Sequence, residues 1–256
     1  MAKKKNKFEK FKNMIELNKI YNEDCLEGMK RIPDKSVDMI LCDLPYGITQ
    51  NKWDSVIPLD SLWKEYNRII KDNGAIVLTA STPFDKVLGV SNIKNLRYEW
   101  IWKKDNVTGH LNAHRMPMKE HENILVFYNK QPTYNPQGLV QFNKTTRRGS
   151  NGSNYGKSNT ENFQEFTNYP RSILEFSYDK NKLHPTQKPI ALFEYLIRTY
   201  TNEGEIVLDN CIGSGTTAVA CINTNRNFIG FELDKHYCDI ANERIRKAIA
   251  EKEVGE

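Results

Sequence analysis

The sequence predicts an α/β fold built around a mainly parallel sheet, and three observations carry that prediction. Short apolar runs bounded by turn residues alternate with segments of helical spacing through residue 128. The run Ala75 to Ala80 is continuously core-forming, as in a strand covered on both faces. The stretch from Glu205 to Glu232 reads strand, glycine turn, helix, strand, the clearest β-α-β unit in the chain.

In order, Lys19-Ile20-Tyr21 is a short strand ending at Asn22-Glu23-Asp24-Cys25, and Leu26 to Ile32 a brief helix. Val37 to Cys42 is an apolar, β-prone strand. Leu59 to Lys71 places Leu62, Trp63, Tyr66, Ile69 and Ile70 at helical spacing and meets a stop signal at Asp72-Asn73-Gly74. Arg97 to Lys103 and Asn123 to Tyr128 are further strands, the second with the β-branched and aromatic character expected near a sheet edge. From Asn129 to Leu183 Asn, Gln, Gly, Ser and Thr dominate, so an insertion or subdomain is expected there. Regular pattern resumes with a helix over Ile190 to Tyr200, a strand over Glu205 to Asp209, a helix over Thr216 to Asn223, a strand over Asn227 to Glu232 and a terminal amphipathic helix from His236.

Composition narrows the function classes. With 39% hydrophobic and 27% charged residues among 256, the chain reads as soluble and globular, large enough for one domain with a small insertion. No apolar stretch approaches the roughly 20 residues of a membrane helix, and the Lys-rich N-terminus lacks the apolar core of a signal peptide, so a cytoplasmic protein is expected. Cys25, Cys42, Cys211, Cys221 and Cys238 contain no C-x-x-C pair and suit reduced core thiols; without a Pro-Cys dipeptide, nothing suggests a cysteine nucleophile for methylating a ring carbon. His110 and His114 stand one helical turn apart but lack a third ligand pattern nearby, and no metal is expected. The net charge of +5 is concentrated in residues 1 to 19 and 129 to 183, a distribution that suits phosphate contacts.

Two motifs carry chemistry. Asp43-Leu44-Pro45-Tyr46 follows a predicted buried strand, at the carboxyl end where open α/β sheets bind ligands. A carboxylate, a backbone carbonyl held by the following proline and an aromatic ring form a receptor for a planar base with an exocyclic amino group. The second motif, Asp209-Asn210-Cys211-Ile212-Gly213-Ser214-Gly215, joins strand to helix through a turn that lets backbone approach a ligand, and Glu232 closes the next strand, 17 residues beyond Gly215, where a carboxylate could accept from ribose hydroxyls. No Gly-Lys-Ser/Thr follows, which excludes a P-loop; Gly213 to Ala218 matches G-x-G-x-x-A, which leaves a dinucleotide open beside S-adenosylmethionine.

Taken together, these motifs resemble the amino-methylating DNA methyltransferases, specifically the permuted (beta-class) group acting on adenine N6 or cytosine N4, in which the catalytic motif precedes the cofactor motif. Asp43 to Tyr46 matches the Asp/Asn/Ser-Pro-Pro-aromatic signature, and Asp209 to Gly215 matches Asp-Pro-Phe-x-Gly-Ser-Gly. His184-Pro185-Thr186-Gln187-Lys188-Pro189 looks like a further cofactor motif, and His121 to Phe127 like the strand before the target-recognition region. The resemblance spans about Ile20 to Ile245, with Leu44 in place of the first proline and Asn210-Cys211 in place of Pro-Phe.

The resemblance implies a Rossmann-like, S-adenosylmethionine-dependent methyltransferase fold, with a mostly parallel seven-stranded sheet and an inserted target-recognition region. The implied divisions are a basic arm (1–19), a catalytic half (20–128), a recognition insertion (129–183) and a cofactor-binding half (184–256). It implies catalysis by Asp43, Leu44, Pro45 and Tyr46. The cofactor would be held by Asp24, Cys25, Thr186, Lys188, Asp209, Cys211, Ile212, Gly213, Ser214, Gly215, Thr216, Glu232 and Leu233. Asp24 would meet the cofactor's adenine, and Lys188 with Thr186 its methionine carboxylate. Lys144, Arg147, Arg148 and Lys157 are the candidate DNA contacts. The expected activity is methylation of a flipped adenine in double-stranded DNA, with cytosine N4, a catalytically weak DNA-binding protein of the same fold, and a Rossmann-type dehydrogenase as alternatives. A homodimer and a cognate restriction endonuclease are possible partners implied by the resemblance.

Overall fold

The strand 37–43 has no exposed residue, because strands flank it on both sides and helices cover both faces. In the computed structural model, which describes residues 15–47, 55–147, 161–180 and 187–255, this strand sits near the middle of an eight-stranded sheet. The elements are β1 (Lys19–Tyr21), α1 (Cys25–Met29), β2 (Val37–Asp43), α2 (Leu59–Ile69), β3 (Ile70–Ala80), α3 (Phe84–Ser91), β4 (Leu96–Thr108), β5 (Lys119–Phe127), β6 (Val140–Arg147), β7 (Glu161–Thr167), β8 (Ile173–Glu175), α4 (Ile190–Tyr200), β9 (Ile206–Asp209), α5 (Thr216–Asn223), β10 (Asn227–Phe231) and α6 (Lys235–Gly255). The sheet order is β1-β10-β9-β2-β3-β5-β4-β8. Its first five strands pair in parallel, β5 runs antiparallel to both β3 and β4, and β8 pairs in parallel with β4.

The two-residue side-chain period of a strand divides the core cleanly. Met39 and Leu41 face a cluster with Leu192, Leu196, Ala218 and Ala241 from α4, α5 and α6. Ile40 and Cys42 face the other way, onto Met29, Leu62, Tyr66 and Leu88 from α1, α2 and α3. No described helix is long and apolar enough to cross a membrane.

Several expectations change. The sheet has an eighth strand, the three-residue β8 at its edge. Asp72-Asn73-Gly74 lies inside β3, because α2 ends at Ile69 and the chain enters the strand directly. β5 is an interior strand between β3 and β4, not one near an edge; its β-branched and aromatic residues are buried there. Helix α3 had no counterpart in the sequence reading. The chain forms two compact units, one holding residues up to Tyr134 and from Ser172, the other Asn135–Arg171. The second is narrower than 129–183 because Lys130 pairs with Asp72 at 3.1 Å, Tyr134 packs on Tyr200, and β8 joins the main sheet. Within it, β6 and β7 form an antiparallel hairpin.

At the end of β9, Asp209 is 3% exposed and holds the following turn together, accepting from the Cys211 amide at 3.0 Å and from the Thr217 hydroxyl. Burial pushes its carboxyl up to about 7, against the lowering effect of those two donors. A folded-state pKa above the unfolded value means that this group favours folding most at low pH, and that the contribution is lost as pH rises through about 7. Asp209→Asn keeps the acceptor oxygen but cannot ionise. Its urea midpoint should gain on the wild type as pH rises from about 5 to about 8; a difference constant with pH would show that Asp209 does not titrate in this window.

Candidate active site

The parallel register sets Asp43, the last residue of β2, beside Thr79 of β3. Thr79 is fully buried, and its hydroxyl donates to Asp43 Oδ1. The Tyr46 hydroxyl donates to the same oxygen at 2.7 Å, which folds the tetrapeptide back onto its own carboxylate. The Tyr46 ring stacks on Phe84 of α3 with centroids 5.3 Å apart, so the unanticipated helix forms one wall of the site. Burial, then the charge of Asp43, raises the Tyr46 phenol well above its usual range, leaving it a hydrogen-bond donor.

Asp43 Oδ2 receives Lys188 Nζ at 2.6 Å. Lys188 is 6% exposed and also faces Glu122 Oε2 at 3.3 Å, while Lys104 Nζ lies 3.5 Å from Glu122 Oε1. Asp43, Lys188, Glu122 and Lys104 thus form a line of alternating charges, the last two members coming from β5 and β4. Burial alone would lower the Lys188 ammonium; the carboxylates of Asp43 and Glu122 outweigh it and hold its pKa well above the usual value. Lys188 therefore reaches the Asp43 carboxylate rather than standing free beside the glycine turn. Thr186, its expected partner, lies outside the described residues, as do His184 and Pro185.

The glycine turn lies across β2 from this group. Gly213 and Gly215 adopt φ of +52° and +86°, left-handed values that L side chains rarely take. A Cβ on Gly215 would also come within 2.9 Å of the Ala241 side chain, so the turn packs directly on α6. Glu232, the residue after β10, binds the turn: Oε2 accepts from Gly213 N and Oε1 from Asp234 N, each at 2.8 Å. Ile212 is buried, and its amide bonds the Phe231 carbonyl at 2.9 Å. Asp24 caps α1 by accepting from Glu27 N at 3.1 Å, and Leu233 is exposed.

The Asn210 and Cys211 departures from the cofactor motif are accommodated in one cluster. Asn210, 2% exposed, accepts from the Tyr66 hydroxyl and directs its amide nitrogen to Cys25 Sγ at 3.6 Å and Cys211 Sγ at 3.5 Å. All five cysteines are free thiols. Two contributors escaped sequence reasoning. Arg244 of α6 donates to the Ser214 carbonyl at 2.7 Å and lies 3.4 Å from Thr216 Oγ1, placing a guanidinium behind the turn; burial lowers its pKa. Asn22 ties the ends of β1 and β10 together through the Glu232 and Leu233 carbonyls at 2.9 and 3.0 Å. A basic residue at helical spacing in a terminal helix, or an Asn after a strand, carries no signal of such a role.

Of the candidate DNA contacts, Lys144 is exposed on β6 with its ammonium 5.2 Å from the Phe142 ring centre, and Arg147 ends that strand. Arg148 and Lys157 lie outside the described residues. Among the described residues no group of three His, Cys, Asp or Glu is arranged to hold a metal ion.

Residues 37–243 match the family model described as DNA methylase, of the N6/N4 methyltransferases. The DNA adenine methyltransferase YhdJ of Escherichia coli K12 is 30% identical over 249 residues, covering 90% of this chain and 83% of YhdJ. The type II methyltransferase M1.MboII of Moraxella bovis is 29% identical over 257 residues, covering 90% and 96%. Among solved structures, the M1.HpyAVI–SAM complex superposes with a TM-score of 0.60 at 29% identity, over 88% of this chain and 98% of that one. The cytosine-N4-specific PvuII methyltransferase has a TM-score of 0.65 over 95% of both chains, at 17% identity a likeness of fold alone. A sheet that places an acidic tetrapeptide and a glycine turn side by side, and a match that runs through both, establish that this chain belongs to the N6/N4 family of DNA methylases.

Proposed function

We propose that this DNA amino-methyltransferase acts on the N6 amino group of an adenine extruded from double-stranded DNA, with S-adenosylmethionine as methyl donor. The observation that carries the reading is the carboxylate of Asp43 at the carboxyl end of β2, one oxygen fixed by two hydroxyls and the other held by a lysine. An amino group conjugated to a purine ring is a poor nucleophile. Acceptance of its two hydrogens by Asp43 Oδ2 and the Leu44 carbonyl favours a pyramidal nitrogen whose lone pair faces the donor. Pro45 restricts Leu44 to an extended backbone, and the Tyr46 ring, backed by the buried Phe84, offers aromatic surface to the base.

The glycine turn suits the donor. A Cβ on Gly213 would enter open space, so its left-handed backbone borders a cradle, and Glu232 retains lone pairs for ribose hydroxyls beyond its two amide bonds. When bound, S-adenosylmethionine would supply a methyl group made electrophilic by its sulfonium, the methyl–sulfur bond breaking to leave a neutral thioether. Asp43 is placed to take the proton that the amino nitrogen sheds once its bond to carbon has formed. Lys144, Arg147, Arg148 and Lys157 are the proposed phosphate or guanine contacts of the recognition unit.

In this scheme the incoming amino group must take Oδ2 from Lys188. Glu122, already 3.3 Å from the same ammonium, is the acceptor to which Lys188 shifts. Without that second acceptor the lysine would stay on Asp43.

Single-molecule sequencing of DNA from a methylation-deficient bacterial host should show N6-methyladenine in one short motif with the wild-type chain and none with Asp43→Ala. Modified cytosine would move the target to N4, and undiminished modification by the variant would remove Asp43 from the mechanism. Glu122→Gln should slow single-turnover methylation by about 10- to 100-fold, roughly 1.4 to 2.8 kcal/mol of barrier, while leaving S-adenosylmethionine affinity by calorimetry near that of the wild type. A rate unchanged in this variant would show that Lys188 leaves Asp43 without help.

A further inference from the structure

The β4–β5 hairpin runs on past the sheet beside the Asp43 group. Ala80, where β3 ends, pairs with Asn123, and the hairpin continues outward to the Thr108–Lys119 pair. Four residues at about 3.3 Å each set the base of its tip about 13 Å beyond the end of β3. The overshoot emerges at the carboxyl ends of the parallel strands, the side on which Asp43 lies, and Lys119 Nζ ties it to the Thr82 carbonyl at 3.4 Å.

The tip has an unusual surface. Every residue from Thr108 to His121 is exposed. Among the described residues Leu111 is 92% exposed, Met116 56% and Met118 40%, three large apolar side chains open at one hairpin tip. It is also an ordered surface: Gly109 turns the chain at φ +96°, a 3₁₀ turn follows at His110–Asn112, and the Arg115 and Met116 amides both bond the Asn112 carbonyl, at 2.9 and 3.0 Å. No acidic residue occurs between Asp105 and Glu120, whereas Arg115, Lys119, His110 and His114 do. An apolar tip interspersed in sequence with cationic and imidazole side chains, at the same end of the sheet as the carboxylate proposed to receive an extruded base, fits the interior of a base stack flanked by phosphates better than it fits water.

We infer that the hairpin tip is a DNA wedge: Leu111, supported by Met116, enters the duplex at the step opened by extrusion of the target base, and Arg115 contacts an adjacent phosphate. This inference rests on the proposed base-methylation reading. The wedge offsets lost stacking, so its removal should matter for a paired target and little for a target that has no partner to leave.

The test uses the full chain and two duplexes carrying the motif that sequencing identifies, one with the target adenine paired and one with it opposite an abasic site. Leu111→Ser/Met116→Ser should lower the single-turnover rate about tenfold or more on the paired duplex and return to within about threefold of wild type on the abasic one. Arg115→Ala should weaken binding to both duplexes and reduce the salt slope of binding by about 1. Equal rates for wild type and the double variant on paired DNA would overturn the wedge. So would an equal loss on both duplexes with an unchanged thermal midpoint, which would mark the tip as an ordinary contact. A wild-type chain that methylates neither duplex would overturn the base-methylation reading, and the wedge with it.

Discussion

A line of four charges, its two lysines buried and its two carboxylates partly so, governs what the rest of this fold must do. Desolvating a carboxylate or ammonium costs several kcal/mol per ion even after relaxation, and pairing seldom returns more than that. The line Asp43, Lys188, Glu122, Lys104 is tolerable because it alternates and is neutral overall. Loss of any member leaves a neighbour with an unmatched charge largely withdrawn from water. Its geometry depends on register: β2 on β3 sets Asp43 by Thr79, β3 on β5 sets Ala80 by Asn123, and β4 on β5 sets Trp102 by Glu122. A slip of one residue in any of these pairings would turn a charge toward the wrong face. The sheet acts here as a ruler for charges as well as a core.

Much of this was legible in the sequence where the information is local. The end of β2 at Asp43, the glycine turn and the strand leading to Glu232 announce themselves through short apolar runs and glycine, and α4 and α5 match their expected limits. What was not legible is of two kinds. Boundaries failed where two signals overlapped: Asp72-Asn73-Gly74 reads as a helix stop, yet Ile69 and Ile70 had already passed the chain from helix to strand. Partnerships failed where they are distant. Lys188 lies 145 residues from Asp43, and Asn210 lies 144 from Tyr66, so no periodicity relates them. The motif resemblance gave Lys188 no partner within the chain, and tertiary packing brings its ammonium to the Asp43 carboxylate.

The motif departures make sense in the same terms. Asn210, where the family has proline, would be an unsatisfied polar group in a core. Tyr66 supplies a donor to its oxygen, and the two flanking thiols face its nitrogen. The adjacent Cys211 then packs as a small apolar side chain where an aromatic ring would otherwise stand. The turn keeps its shape through the motif's own Asp209 carboxylate inside it and through two residues the motif does not include, Glu232 in front and Arg244 behind.

A single reversal of chain direction connects the chemistry with the surface that would meet DNA. Up to β3 each strand returns through a helix, and its carboxyl end stops at the ligand-binding edge. β4 and β5 instead form an antiparallel pair, with no helix between them to limit their length at that edge. The pair therefore passes through the plane of the site, contributing Lys104 and Glu122 as it does so, and closes about 13 Å farther out. Had β4 returned through a helix, neither the inner half of the charge line nor the exposed tip would exist. Shortening the hairpin at its tip leaves the charges in place, whereas shifting its register removes both, so the two functions are separable in length and bound together in alignment.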